Sequence, residues 1–120
     1  MSAFLIHADV TDGRLHVDAP SGFHAASGLH ALDIPLEHVT AAEVVEHPGD
    51  AIKGFRQGLG FALPDEHMGK YHYEGLVDYV AARNTGEGVI ITLADEDFAR
   101  LILSVENPAA LAASLTATSA

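Results

Sequence analysis

The sequence predicts a mainly β domain of about seven antiparallel strands closed by one C-terminal α-helix. Three observations lead there. Apolar residues alternate with a period of two along most of the chain, as half-buried strands require. The alternating runs are separated by short stretches rich in Gly, Pro, Asp and Asn, the residues that turn a chain. The period changes once, after Asn107, to the four-residue recurrence of a helix.

"FLIHADV" sets Phe4, Ile6, Ala8 and Val10 against Leu5, His7 and Asp9, and "RLHVDA" sets Leu15, Val17 and Ala19 against Arg14, His16 and Asp18. With "TDG" between them, these runs predict an antiparallel hairpin. Pro20, Gly22 and Gly28 interrupt the next stretch, and Pro35 lacks a ladder donor, so a strand around "LHALDI" is expected to be short or at a sheet edge. "TAAEVVEH" predicts a strand ended by the turn signature "PGD", and "DAIKGF" allows one helical turn before Gly54. "GKYHYEG" and "VDYVAARNT" predict successive strands, the first with Tyr71 and Tyr73 on one face, the second with Val77, Tyr79 and Ala81. "VIITL" is a nearly continuous β-branched run. "FARLILSV" places Leu101, Leu103 and Val105 on one side, which leaves Val80 and Ile102 as apolar surface off the core face. Asn107 suits an N-cap, Pro108 the first helical position, and Leu111 and Leu115 recur four apart. "NPAALAASL" is therefore the predicted helix, with "TATSA" expected to fray.

At 120 residues the chain is expected to be one domain over 1–120, large enough to bury roughly two thirds of its unfolded surface without a disulfide or metal. It has no cysteine, which excludes disulfides, thiolate metal sites and cysteine nucleophiles. The first residues lack a basic n-region and a cleavage site, and no apolar run approaches the ~20 residues of a membrane helix, so a cytoplasmic protein is expected. Seventeen acids against six bases give a net charge of −11. Such a surface repels phosphate backbones and anionic headgroups, so nucleic acid, membrane and phosphoinositide partners are not expected. The charge is uneven: residues 53–70 hold Lys53, Arg56 and Lys70 against Asp65 and Glu66, a net +1, which leaves −12 to the rest.

That window contains the glycine-rich stretch "GFRQGLGFALPDEHMG", residues 54–69. "GLGFALP" approximates a dinucleotide-binding motif but lacks a strand before it and a helix after it, and there is no G-K-S/T for a phosphate loop. The glycines are read instead as left-handed positions of a long connection between strands, with Phe55, Leu59, Phe61 and Leu63 packing down. If an anion binds anywhere, Lys53, Arg56 and Lys70 are its candidates. Among eight histidines there is no H-x-x-x-H or H-E-x-x-H helix. The best metal cluster is Asp65, Glu66, His67 and His72, with His47 across the sheet, and His67 and His72 are the candidate ligands for Zn, Mn or Ni. No nucleophile motif such as G-x-S-x-G is present, so no catalytic residue is nominated and no cofactor is expected.

In order, these elements resemble a bacterial pleckstrin-homology-like (PH-like) domain of the kind found in small actinobacterial proteins. That family runs from I/V-P-L into a strand, then through a glycine- and proline-containing loop with one basic residue. A G-x-Y/F strand, an apolar strand and S-V-x-D/N-P at the final helix follow. Here these are Ile34-Pro35-Leu36, the Arg56 to Gly69 loop, Gly69-Lys70-Tyr71, Val89 to Leu93, and Ser104 to Pro108, roughly the last two thirds of the chain. The loop departs from the pattern in "LPDEHMG", with four residues between Pro64 and Gly69. The resemblance implies a seven-stranded, strongly bent barrel capped by one helix, used for binding rather than catalysis. Phosphoinositide-binding members carry several Lys or Arg in the first hairpin loop; here it reads "TDGR", with one acid and one base. The expected function is a non-catalytic binding or assembly module, working by protein–protein interaction or self-association at strand edges. The alternative is a small-ligand or divalent-metal-binding protein using the 54–72 loop and strand.

Overall fold

The computed structural model of the chain describes residues 7–18, 31–52, 54–62, 66–83, 86–105 and 107–118. β1 (His7–Thr11), β2 (Arg14–Asp18) and β3 (Leu32–Pro35) form an antiparallel three-stranded sheet in that order. Asp12 and Gly13 take φ values of 55° and 73°, the two successive positive angles of the tight hairpin turn that an Asp-Gly pair favours. β3 is four residues long, lies at the sheet edge and ends on Pro35, as the missing donor of proline predicts.

The second sheet comprises β4 (Val39–Val45), β5 (Phe55–Ala62), β6 (Glu66–Tyr73), β7 (Leu76–Arg83), β8 (Gly88–Leu93) and β9 (Arg100–Leu103). Its order is β4-β8-β9-β7-β6-β5. The molecule is thus mainly β, with nine strands among the described residues rather than about seven. The expectation of a closed, all-antiparallel barrel is corrected in two respects. β9 slots between β7 and β8 and runs parallel to β7. The order ends on β4 and β5, which do not pair with each other among the described residues, so the sheet is open. β7, β8 and β9 are buried on both faces, which is why "VIITL" and "LIL" read as continuous apolar runs instead of alternating ones.

The main core lies between the two sheets and the helix α1 (Pro108–Thr118). Leu15, Val17 and Ile34 of the small sheet meet Tyr79, Ala81, Val89, Ile91, Leu101 and Leu103 of the large one. Leu111 and Leu115 of α1 and Val105 before it close the end, and α1 packs against β4, β1 and β8. The Asn107 side-chain oxygen accepts the Ala110 backbone N–H at 3.3 Å, which is the N-cap its position predicts. The helix runs on to Thr118, so most of "TATSA" is helical; residues 119–120 lie outside the described residues.

The opposite face of the large sheet carries a second apolar cluster of Tyr71, Val80, Ala82 and Ile102, packed with Ala51, Ile52 and Ile90. Val80 and Ile102 are therefore buried, and the expected leftover apolar surface there is absent. A 3-10 turn at Pro48–Ala51 lies down on this face. It can do so because Gly88 has no Cβ: one added there would stand 2.5 Å from the Leu103 carbonyl oxygen and 2.7 Å from the Pro48 ring.

Candidate functional site

The glycine-rich stretch is not a long connection. It forms β5 and the first half of β6, strands that make an antiparallel hairpin in which Phe55 pairs with His72, Arg56 with Tyr71 and Gln57 with Lys70. The register then shifts, and Gly60 pairs with Gly69 and Ala62 with His67. Gly58 and Gly60 thus mark an irregularity inside a strand, a known use of strand glycines that resembles a loop signal when read alone. Gly54 takes φ 72° where β5 begins, and a Cβ there would lie 2.0 Å from the His72 carbonyl oxygen, so glycine is required for the two strands to close. Lys53, Leu63 and Asp65 lie outside the described residues.

β6 continues the sheet through an unbroken eight-rung ladder to β7, from Glu66↔Arg83 to Tyr73↔Leu76. That regular ladder decides the fate of the candidate metal pair. His67 and His72 are five residues apart on one strand, an odd number, so they stand on opposite faces with about 17 Å of extended backbone between them. One ion cannot take both, and the pairing of His67 with His72 as metal ligands is corrected. Among the described residues no three His, Asp or Glu side chains come together to hold a metal ion. Of the candidate anion residues, Arg56 and Lys70 occupy neighbouring rungs of the β5–β6 ladder, and Lys70 shares its rung with Tyr79 on the β7 side.

Beside this hairpin lies a charged pair that the sequence does not announce. Asp78 and Arg100 face each other across the parallel β7–β9 pair. Asp78 is fully buried, and its Oδ2 accepts from Arg100 Nε at 3.0 Å and from Nη2 at 2.5 Å. Nη2 also donates to the Ala51 carbonyl at 3.1 Å, which ties the Pro48–Ala51 turn to the sheet. The guanidinium stands over the Tyr73 ring, 5.5 Å from its centroid. Burial works against the Arg100 charge, and the hydrogen bonds and charge of Asp78 outweigh it, holding the guanidinium above its ordinary range. Asp78 Oδ1 is buried with no hydrogen-bond partner. Every protein contact of this pair holds the turn or the sheet together, so it is the fastening at the inner side of the hairpin. The only hint in the sequence is that Asp78 and Arg100 share their strand faces with Val80 and Ile102.

The outer side of the hairpin is different. β5 is the last strand of the sheet and pairs with β6 alone among the described residues. Eight residues long, it contains one charged residue, Arg56. At the other end of the sheet, α1 packs against β4 and β8. No helix among the described residues is long and apolar enough to cross a membrane.

Comparison with known proteins adds nothing to this geometry: no family model matches the chain, and no match is found among curated proteins or solved structures.

Proposed function

We propose that this chain is a non-catalytic binding and assembly module that accepts a partner strand along the outer edge of β5. The observation that carries the reading is an eight-residue edge strand with a single charged residue at the end of an open sheet. An edge strand presents a row of backbone donors and acceptors, and monomeric proteins blunt it with charges, proline or a cover. β5 has no proline and one charge, so its sequence leaves the edge usable for strand addition. The buried Asp78–Arg100 pair supports the reading from the other side, since it fastens β7, the strand that pairs with β6, to β9. A PH-like relationship belongs to the same proposal. Its support is a mainly antiparallel body followed by one C-terminal helix, and the parallel β7–β9 pair marks where the chain departs from a simple meander.

Site-specific photocrosslinking in cells tests the function. A photoreactive residue in place of Gln57, on β5, is expected to give a discrete adduct. The same residue in place of His16, on the small sheet, is expected to give none. Equal labelling from both positions, or none from Gln57, would remove the proposal.

A further inference from the structure

We infer that the strand received at β5 is the β5 of a second copy of this chain, so that two six-stranded sheets join edge to edge into one continuous sheet through an antiparallel β5–β5 junction. The inference rests on the strand-addition reading and adds the identity of the partner. Charge carries it. Outside residues 53–70 the chain holds −12, so two copies repel wherever their bodies approach, and over about 8–10 Å at physiological salt. The window that contains all of β5 and most of β6 holds +1 and is where two copies meet at least electrostatic cost. A strongly acidic partner strand would be repelled by the surrounding body. A strongly basic one would be drawn to that body and not to its least acidic strand.

Symmetry fits as well. An antiparallel pair of identical strands is related by a twofold axis, the commonest relation between identical subunits. Centred on Leu59, such a pairing sets Arg56 opposite Ala62 of the second copy and Gln57 opposite Phe61. The two Arg56 residues then stand six residues apart along the strands, about 20 Å, beyond the screening distance. The helix packs against β4 and β8, at the far end of the sheet from the junction.

Sedimentation velocity and light scattering of the whole chain over a concentration series, at low and at high NaCl, provide the test. The mass is expected to move from 12.6 kDa toward twice that value as concentration rises, and to do so at lower concentration in high salt, because salt screens the repulsion between the bodies. Leu59→Lys, which brings two like charges together at the junction, is expected to hold the chain at the monomer mass with an unchanged circular dichroism spectrum. Ala41→Lys, on β4, is expected to leave dimerisation intact. A dimer that survives Leu59→Lys but not Ala41→Lys overturns the inference, as does a monomer at every concentration and salt. In the monomer case, a Gln57 photo-adduct with a different protein would leave the strand-addition reading standing, while no adduct would end both. Should Leu59→Lys lose its fold, amide exchange of the unaltered chain decides: β5 amides slowed by rising concentration support the inference, and unchanged ones overturn it.

Discussion

Asp78 and Arg100 form a buried ion pair across two parallel strands, with Nη2 of the guanidinium 2.5 Å from Oδ2 of a carboxylate that has no exposed surface. Removing one partner leaves the other uncompensated in the interior. Arg100→Met is therefore expected to cost about 3–5 kcal/mol, and Asp78→Leu a similar amount. The double substitution is expected to cost clearly less than the sum, because it removes both charges together. Urea denaturation of the four proteins completes the cycle; additive losses would mean that the pair is not coupled.

Gly88 admits the Pro48 ring against the sheet only because it lacks a side chain. Gly88→Ala would press a Cβ against the Leu103 carbonyl, a backbone atom that cannot rotate away. A loss of about 1–3 kcal/mol is expected, the usual cost of overpacking. A substitution as stable as the parent, measured by the urea midpoint, would show that the turn does not sit against β8.

The helix depends on its cap and its inner face. Asn107→Ala removes the acceptor for the Ala110 N–H and is expected to cost about 1 kcal/mol. Leu111→Ala empties a buried position against the β4 end of the sheet, at about 2–5 kcal/mol. Thermal denaturation followed by circular dichroism distinguishes the two: the order of the losses should be Leu111 greater than Asn107.

His38 makes a pH-sensitive contact with Glu96. Its Nδ1 lies 2.5 Å from Glu96 Oε2, and that hydrogen bond, aided by the charges of Glu96, Asp95 and Glu37, raises the imidazole above its ordinary value of 6.5 against the opposing effect of burial. A raised folded-state value means that protonation favours the folded form. The contribution is complete below pH 6.5 and is lost as the pH rises through the folded-state value. The stability difference between the parent and His38→Gln should therefore be larger at pH 5.5 than at pH 8.5. An NMR titration of the His38 ring should give a midpoint above 6.5, which Glu96→Gln moves down. A midpoint at or below 6.5 in the parent would contradict the contact.

Where sequence and structure agree, local chemistry suffices. The Asp12-Gly13 hairpin, the short edge strand ending on Pro35, the Pro48–Ala51 turn and the Asn107 cap each follow from residues that bias their own backbone. Where they part, a signal has two meanings. Gly58 and Gly60 read as loop residues, yet they lie in β5, whose alternation of Phe55, Gln57, Leu59 and Phe61 was already a strand pattern. Val80 and Ile102 read as outward-facing because alternation names two faces and not what covers the second. His67 and His72 looked close in sequence, and only the continuity of β6 separates them.

The mainly β class, the one capped helix, the main core face and the uneven charge were readable along the chain, because each is set by short-range periodicity or by composition. Four features were not readable there: β9 parallel to β7, a covered second face, Asp78 against Arg100, and β5 as the last strand among the described residues. Those depend on contacts between residues distant in the chain. A strand carries the same local pattern whichever neighbour it takes, so pairing partners and free edges exist only once the whole sheet is assembled.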